Sequence, residues 1–416
     1  MKMRITSETG RLHGVIVHTP GPEISLVDPE TKEDLLFDDI IFEEDARREH
    51  LDMLELFRTV MPDGAPILEL TELAREALKE ADVRVAFAEQ LNRELYFENL
   101  HPVLEDLKQL DADPLLRFTI EGRVHEQGRF RLHPTPNLLF TRDLAAVVGG
   151  HIVLSKAAKR ARVREFLLME LIVKHHPLFE SLRQKTISIP HGQSLEGGDV
   201  LVVSENVVLV GMSERTTFSG LIHVAEQLFK TGIERVLAVD IPKKRSSMHL
   251  DTIFTFADED ECVVFPQAIT ETEHNVVEIF SSASGVQVQT HVSLHQALEQ
   301  ILGKPLNFIH CGGERRTDQL REQWTDGANL FCLAPGVVVG YERNTKTFQE
   351  LDKHGYRVMD QQSFLTEFQR DGSGDDKGSK QFDPHQEGKV AIMFEGHELC
   401  RGRGGARCMT LPVLRS

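Results

Sequence analysis

The sequence predicts an α/β protein, and three features of its hydropathy pattern support that fold class. Short apolar runs rich in β-branched residues recur along the chain, helix-forming stretches separate several of them, and one long segment is helix-forming throughout. With 416 residues, of which 40% are hydrophobic and 27% charged, the chain is long enough to bury a large core.

The predicted strands end at Gly, Pro, Asp or Asn, which is typical of buried strands. They are the apolar runs at 15–18, 145–154, 200–203, 207–211, 235–241, 262–266, 330–341 and 389–394. Helices are predicted at 161–176 and 218–232, and Gly232 at the end of the second is a common C-cap residue. Strands that alternate with helices favour an α/β fold.

Two segments break this alternation. Between 71 and 125, apolar residues recur at helical spacings without strand signals, so we predict an all-helical insertion in an α/β body formed by residues 1–70 and 126–416. Residues 371–388 are rich in Gly, Ser, Asp and Lys and nearly free of large apolar residues, which predicts a flexible surface loop.

The charge balance and the cysteines restrict the expected partners and location. The net charge of −18 argues against a nucleic acid or an anionic membrane surface as a partner, but it is compatible with a small cationic substrate. Because no run of 18 apolar residues and no apolar N-terminal region occurs, neither a membrane span nor a signal peptide is expected. Five scattered cysteines do not suggest a disulfide framework, so we expect a cytoplasmic location.

Three polar motifs border predicted strands at an equal interval. NLLFTRDL contains Asp143, SLEGGDVLVV contains Glu196 and MHLDTIFTF contains His249, so that these positions are 53 residues apart. The spacing suggests structural repeats that each present a loop to a common centre. Taken singly, Asp143 is compatible with a turn or cap residue, and the EGGD glycines indicate a plain turn or a backbone that closely approaches another group.

The MHLDTIFTF run is strand-like, so alternation is expected to point His249 and Asp251 to the same face. A histidine and a carboxylate on one face are equipped for acid–base chemistry. Metal ligation and a purely structural histidine are the alternatives that these residues leave open.

The segment CRGRGGARCM contains two cysteines in a Gly-rich context. Cys400 and Cys408 lack the spacing of two to four residues that is typical of zinc sites. We therefore expect the loop to bring Cys408 into a pocket as a single reactive thiol, with Arg403 and Arg407 favouring its thiolate, and we expect Cys400 to have no part in the chemistry.

Taken in order, these motifs resemble those of the arginine deiminases, a family of the guanidino-group-modifying superfamily. The resemblance covers nearly the whole chain: TSETGRLHGVIVHTPG at 6–21, LLFDDI at 35–40, FTRD, EGGDV, GMSERT at 211–216, MHLDT, REQWTDGANLFCLAPGVVVGYERNT at 321–345 and RGRGG-x-RCM at 401–409. It implies the pentein fold, a five-bladed pseudo-symmetric α/β propeller, with an inserted helical domain. It also implies hydrolysis of L-arginine to L-citrulline and ammonia, with no metal and no organic cofactor.

The resemblance implies a role for each of five catalytic residues. Cys408 would attack the guanidinium carbon, and His249 would act first as general acid and then as general base. Glu196 would contact the guanidinium and support the histidine, while Asp143 and Asp251 would hold the guanidinium from two sides.

The resemblance also implies a set of substrate-binding residues, which are Leu36, Asn137, Phe140, Arg162, Arg215 and Arg403. The two arginines Arg162 and Arg215 would bind the α-carboxylate. The Leu36 carbonyl and Asn137 would bind the α-amino group. Phe140 would pack along the aliphatic stem, and Arg403 would occupy the empty site.

Three alternative hypotheses remain at this stage. The same fold could act on another guanidine, such as agmatine or a methylated arginine, although paired arginines favour a substrate with a free carboxylate. A metal-dependent hydrolase could use Asp143, Glu196, His249 and Asp251 as ligands. A non-enzymatic arginine-binding protein is the third. The sequence is compatible with a homo-oligomer.

Overall fold

The computed structural model of the protein describes residues 2–96, 104–124, 132–273, 275–282, 285–368 and 380–416. Part of the predicted helical insertion, at 97–103 and 125, lies outside the described residues, as do residues 371–379 of the predicted flexible loop.

Eighteen strands form in the described part of the chain. They are Leu12–Val17 (β1), Ile67–Glu69 (β2), Ala145–Val148 (β3), His151–Leu154 (β4), Thr186–Ser188 (β5), Val200–Ser204 (β6), Val207–Met212 (β7), Arg235–Asp240 (β8), Phe254–Asp258 (β9), Glu261–Val264 (β10), Val276–Ser282 (β11), Gly285–His291 (β12), Asn307–His310 (β13), Phe331–Ala334 (β14), Val337–Tyr341 (β15), Arg357–Asp360 (β16), Val390–Phe394 (β17) and Leu411–Arg415 (β18).

The α-helices of the same residues alternate with these strands. They are Pro22–Ser25 (α1), Glu43–Val60 (α2), Leu70–Ala77 (α3), Ala81–Tyr96 (α4), Leu104–Lys108 (α5), Ala112–Glu121 (α6), Val163–His175 (α7), Phe218–Leu228 (α8), Pro266–Ile269 (α9), Leu294–Leu302 (α10), Arg316–Trp324 (α11), Thr345–Lys353 (α12), Gln361–Phe368 (α13) and Pro384–Glu387 (α14). The predicted α/β fold class is therefore confirmed.

The strands form five open sheets that share one arrangement. Their orders are β18-β1-β2, β3-β4-β5, β12-β11-β8-β7-β6, β13-β10-β9 and β14-β15-β17-β16. Each sheet contains an antiparallel pair, and one strand of that pair is joined on its other side by a parallel strand. The first sheet joins distant parts of the sequence, because β1 pairs with β18.

Each predicted run forms strands because its apolar side chains are buried, but the runs at 145–154 and 330–341 each divide at a turn with glycine into two antiparallel strands. Val207 to Val210 of β7, for example, are each at most 2% exposed, as expected of strands covered by helices on one side and other strands on the other. Gly232 follows α8 and a short 3₁₀ turn with a φ of 106°. It adopts the left-handed conformation that a C-cap glycine accommodates without strain.

The strand predicted around His249 and Asp251 is wrong. His249 precedes a 3₁₀ turn at Leu250–Thr252, and β9 begins only at Phe254. The backbone N–H of Leu250 donates to the buried Asp199 carboxylate at 2.8 Å, and this bond competes with a ladder hydrogen bond.

The four helices α3 to α6 fall in the segment predicted to be an insertion. Their apolar faces, with Leu70, Ala74, Phe87 and Leu115, belong to the same core cluster as α7, β3 and β4. The boundaries of a separate helical domain stay a prediction. No helix in the described ranges is long and apolar enough to cross a membrane.

Candidate active site

In each of the five sheets, a polar residue lies in the segment that leads into one strand of the antiparallel pair. Asp143 precedes β3, Glu196 precedes β6, His249 precedes β9, Asn329 precedes β14 and Cys408 precedes β18. All five are buried. The equal sequence interval between the first three therefore reflects equivalent places in three structurally similar units.

One narrow pocket brings most of the predicted site residues together. It is lined by Asn137, Phe140, Asp143, Arg162, Arg215, Arg245, Met248, His249, Gly402, Arg403 and Cys408. Eight of these residues were predicted from the sequence. Glu196 and Asp251 lie directly behind the lining, where they contact His249 and Cys408 respectively.

His249 lies between two carboxylates. Its Nε2 is 2.8 Å from Oε2 of Glu196, and its Nδ1 is 3.5 Å from Oδ1 of Asp143. Burial by itself lowers the pKa of His249, but the Asp143 charge and the hydrogen bond to Glu196 raise it to about 9. The imidazole is consequently protonated at neutral pH and able to donate a proton.

The glycines of EGGD allow this close packing. A Cβ atom on Gly198 would lie 2.8 Å from the His249 ring and 2.8 Å from Oδ1 of Asp143. A Cβ atom on Gly197 would lie 2.2 Å from the carbonyl oxygen of Arg142. The backbone therefore approaches other groups closely, which was one of the two interpretations of these glycines.

Arg162 binds two acidic side chains at the pocket. Its Nη1 is 2.5 Å from Oδ2 of Asp143, and its Nε donates to Glu165 at 2.7 Å. Its Nη2 donates to the carbonyl of Asn137 at 3.1 Å. Arg162, which was predicted to bind the substrate carboxylate, is thus paired with Asp143, which was predicted to bind the guanidinium. Glu165 is a further partner that the sequence motifs did not reveal.

Arg215 is a second arginine near Glu196, and it has fewer hydrogen-bond partners than Arg162. Its Nη1 is 3.7 Å from Oε2 of Glu196 and has no hydrogen-bond partner among the described residues, although the side chain is 1% exposed. A buried guanidinium N–H without a partner is costly unless a ligand supplies an acceptor.

Asp251 is fixed by the arginine next to the candidate nucleophile. Arg407 Nη1 donates to Oδ2 of Asp251 at 2.7 Å, and Arg407 Nε donates to Glu8 at 3.1 Å. The amide of Asn329 donates to the Asp251 carbonyl at 2.8 Å and accepts from the Cys408 backbone N–H at 3.0 Å. This network holds the Cys408 Sγ 3.7 Å from Oδ2 of Asp251.

Asp143 and Asp251 share one property. In both side chains Oδ2 accepts from an arginine, whereas the buried Oδ1 has no hydrogen-bond partner in the part of the chain that the structure describes. Two buried carboxylate oxygens therefore have free acceptor capacity. That of Asp143 lies next to the His249 ring, and that of Asp251 belongs to the carboxylate whose other oxygen is 3.7 Å from the Cys408 sulfur. A planar cation with several N–H donors fits such a pair.

The ionisation of Cys408 differs from the expectation. Burial and the carboxylates of Asp251, Asp143 and Asp326 raise the pKa of Cys408 well above its usual value, and Arg407 lowers it by less. The sequence predicted that Arg403 and Arg407 would favour the thiolate. Arg407 does favour the thiolate, but burial and the three carboxylates outweigh it, so the neutral thiol is the favoured form.

Arg403 lines the pocket in an unusual conformation. Its φ is 66°, and its guanidinium carbon lies 3.7 Å from the centroid of the Trp324 ring. The side chain is 3% exposed, yet its Nε and Nη1 have no hydrogen-bond partner within the described ranges. The neighbouring Gly404 is required for space, since a Cβ atom there would lie 2.3 Å from the Phe140 ring.

Of the two residues predicted to bind the α-amino group, Leu36 and Asn137, only Asn137 lines the pocket. Asn137 lines it and donates to the carbonyl of Leu35 at 2.6 Å. Leu36 lies just outside the lining with a φ of 60°, and its carbonyl accepts from Arg245 at 2.6 Å. Arg245 and Met248 are lining residues that no sequence motif indicated.

Asp143, Glu196 and His249 form the one group of side chains in the described residues that could hold a metal ion. Arg162 already provides a positive charge between the two acids, with its Nη1 2.5 Å from Asp143 and 3.7 Å from Glu196. This charge opposes a divalent metal ion more than a singly charged organic cation, because the repulsion grows with the charge of the ligand.

Comparison with known proteins finds relatives over nearly the whole chain. The arginine deiminase family model matches residues 33–415. Arginine deiminase from Listeria innocua is 36% identical, and the alignment covers 99% of this chain and 98% of the relative. Arginine deiminase from Bacillus cereus is 32% identical with the same coverage of both chains.

Solved structures of similar fold come from more distant proteins. SxtG, an amidinotransferase from Microseira wollei, aligns over 100% of this chain and 98% of its own with a TM-score of 0.52 and 12% identity. DDAH from Pseudomonas aeruginosa, complexed with citrulline, aligns over 96% and 99% with a TM-score of 0.50 and 13% identity. At such identities these similarities show the fold alone.

Proposed function

This chain belongs to the arginine deiminase family, as its ordered motifs predicted, and on that premise we propose that it hydrolyses the guanidinium group of L-arginine to give L-citrulline and ammonia. The observation that carries the proposal is the free acceptor capacity of the buried Oδ1 atoms of Asp143 and Asp251. Arginine offers the planar, five-donor cation that this pair of carboxylates accommodates.

The substrate binds by exchanging partners inside the pocket. Its guanidinium donates to Asp143 and Asp251, with Glu196 as a further acceptor. Its α-carboxylate accepts from Arg162 and Arg215. The Nη1 of Arg215 has no hydrogen-bond partner among the described residues. Phe140 packs along the methylene stem, Asn137 and the Leu36 carbonyl receive the α-amino group, and Arg403 moves away from the pocket.

Binding of the cation also activates the nucleophile. The carboxylates that raise the pKa of Cys408 are the groups that the guanidinium neutralises, so a bound substrate lowers that pKa. Cys408 then releases its thiol proton to solvent, and the thiolate attacks the guanidinium carbon and forms a C–S bond. Protonated His249 gives its proton to the departing nitrogen, which leaves as ammonia when the C–N bond breaks.

A second half-reaction releases the product. The neutral His249 takes a proton from water, and the hydroxide adds to the carbon of the thiouronium intermediate. The C–S bond then breaks, Cys408 regains its initial state, and citrulline departs. Glu196, whose pKa is lowered to about 2, stays ionised and stabilises the imidazolium in both steps.

Finer features of the architecture belong to the same proposal. The five sheets with a shared arrangement are the blades of a five-bladed propeller, and the five segments that precede them meet at its centre. The helical insertion, the cytoplasmic location and a homo-oligomeric state stay predictions.

A colorimetric assay for the ureido group of the product, run on the purified protein, tests the function. Arginine, agmatine and a methylated arginine are supplied side by side, and we expect turnover of arginine to exceed that of the other two. Faster turnover of agmatine would overturn the proposal, because Arg162 and Arg215 would then lack their role.

A second arm of the assay addresses the metal-dependent alternative. We expect EDTA to leave the rate unchanged and iodoacetamide to abolish it through alkylation of Cys408. Loss of activity with EDTA that added metal restores would favour the alternative instead.

A further inference from the structure

A second cavity, distinct from the catalytic pocket, lies along one side of helix α11. Its volume is about 930 Å³, within the range of small-molecule binding sites. The segment 242–247, helix α11 and the start of α12 form its walls. The proposed reaction does not use any of the charged residues that line it.

The walls of this cavity carry an excess of positive charge. Five basic residues line it, namely Lys244, Arg316, Arg321, Arg343 and Lys346. Only two acidic residues do so, although the whole chain has a net charge of −18. Basic groups concentrated in one concave surface of an acidic protein indicate attraction of an anion.

Both acidic residues of the cavity are already engaged. The Glu322 carboxylate accepts from the backbone N–H groups of Lys346 and Thr347 at 2.7 and 2.8 Å, at the start of α12. Asp318 pairs with Arg315 at 3.6 Å. Their two negative charges offset only part of the five positive charges in the walls.

Two of the bases are unengaged. The side chains of Lys244 and Arg321 are exposed and make no hydrogen bond or ion pair with any residue that the structure describes. Hydroxyl groups of Thr317, Thr325 and Thr345 lie in the same walls. Charged groups and neutral donors together are the chemistry that phosphate and carboxylate groups need.

Trp324 forms part of this wall and also contacts the catalytic pocket. Its side chain is 48% exposed, and Arg403 of the catalytic pocket packs over its ring at 3.7 Å. A ligand in the cavity would therefore lie next to a residue that touches the catalytic pocket lining.

We propose that this cavity binds a small polyanion, either a phosphate compound or a polycarboxylate, through Lys244, Arg321 and the neighbouring basic residues. The inference does not depend on the proposed hydrolysis of arginine, because it concerns other residues and its test measures binding.

The chain offers an internal probe for the experiment. Trp324 is its one tryptophan, so selectively excited tryptophan fluorescence reports on the cavity wall. Pyrophosphate and citrate are titrated separately into the full-length protein at constant ionic strength, with sodium chloride as the third arm. Isothermal titration calorimetry measures binding in the same buffer, whether or not the fluorescence changes.

The variants compare charge inside and outside the cavity. K244Q/R321Q removes the two unengaged bases, and the matched control K185Q/K353Q removes two exposed bases that lie outside the lining. We expect saturable binding of pyrophosphate or citrate by the wild-type protein and K185Q/K353Q, weakened about tenfold or more in K244Q/R321Q. Circular dichroism confirms that each variant is folded.

The result decides both the site and the ligand class. Tighter binding of pyrophosphate assigns a phosphate ligand, and tighter binding of citrate assigns a polycarboxylate. Absence of saturable heat with either anion would overturn the proposal. Equal affinity in the wild type and K244Q/R321Q, or a response that sodium chloride reproduces, would overturn it as well.

Discussion

Two regions of the molecule bury a histidine between two carboxylates, and they differ in what else they contain. His249 contacts Glu196 and Asp143, at 2.8 and 3.5 Å. His18 contacts Glu69 through Nδ1 at 2.9 Å and Glu23 through Nε2 at 3.0 Å. Burial opposes protonation in both, but the carboxylates raise the pKa of His249 to about 9 and that of His18 to about 10.

The second cluster is fully satisfied by its own surroundings. Glu69 also accepts from the backbone N–H of Thr19 at 2.9 Å, and Glu23 accepts from that of Gly21 at 2.8 Å. Among the described residues, none of the buried nitrogen and oxygen atoms of His18, Glu23 and Glu69 lacks a partner. The catalytic cluster, in contrast, retains a free oxygen on Asp143 and has a cysteine nearby.

The comparison teaches that a perturbed pKa does not by itself distinguish a reactive site from a structural one. Both histidines are perturbed to a similar extent, and structural ion-pair networks perturb pKa values as active sites do. Free hydrogen-bonding capacity next to a nucleophile is what separates the two clusters. Substitutions and pH titrations in both clusters can break or sharpen this distinction.

The largest effect is expected from removal of the nucleophile. C408A should lower kcat about a thousandfold or more while arginine binding persists, because the covalent route is lost and the carboxylates remain. C400A should retain nearly all activity, since Cys400 lies outside the pocket lining and its sulfur contacts Arg343. Citrulline formation and equilibrium binding of arginine measure the two effects, and equal loss of activity in both variants would contradict the assignment.

The two histidines should respond in opposite ways to the same substitution. H249Q should lower kcat by about 100-fold or more through loss of the general acid and base. H18Q should leave the activity of the folded enzyme within a few-fold but lower the free energy of unfolding by about 3 kcal/mol, since it leaves buried carboxylates unpaired. Rates and urea unfolding curves of both variants provide the measurement, and an inactive but stable H18Q would reverse the comparison.

Substitution of Asp143 or Asp251 should lower activity less than substitution of Cys408 or His249. D143N or D251N should weaken arginine binding as well as the rate, by about 1.5–3 kcal/mol, because a charge-assisted partner of the guanidinium becomes neutral. E23Q, in the structural cluster, is the matched control and should leave KM unchanged. KM values for arginine test this, and a normal KM in both aspartate variants would remove these residues from the binding site.

The smallest effects concern pH. Because the pKa of His249 is raised, the proton needed for ammonia departure is present at neutral pH, and kcat/KM should fall as pH rises through about 9. A kcat/KM that stays constant well above that pKa would exclude His249 as the acid.

His18 provides the corresponding stability measurement. Its pKa is about 10 in the folded state, against 6.5 for an unperturbed histidine. Its contribution is therefore complete below pH 6.5 and is lost as pH rises towards 10. The unfolding free energy of the wild type should approach that of H18Q over this range, and a constant difference between the two would contradict the linkage.

Much of the candidate site could be predicted from the sequence, because its residues occur in ordered motifs next to strands. Asp143, Glu196 and His249 were marked by their spacing and Cys408 by its glycines. The strand assigned to His249 failed because period-two alternation cannot reveal a competing hydrogen bond from the Leu250 backbone to the Asp199 side chain.

The parts that were missed depend on contacts between distant segments. Asn329 positions Cys408, but the motif at 321–345 that contains it did not indicate this role, and Arg245 lies in no motif. The raised pKa of Cys408 has the same origin. Arg407 was close in sequence to Cys408, but the carboxylates that outweigh it are the distant Asp143, Asp251 and Asp326.

The pairing of β1 with β18 has a consequence for the synthesis of the protein. Residues 12–17 are made well before their partners at 411–415. The Cys408 loop ends where β18 begins, so a nascent chain cannot place its candidate nucleophile until that long loop closes. Chains cut short before residue 408 consequently lack this thiol.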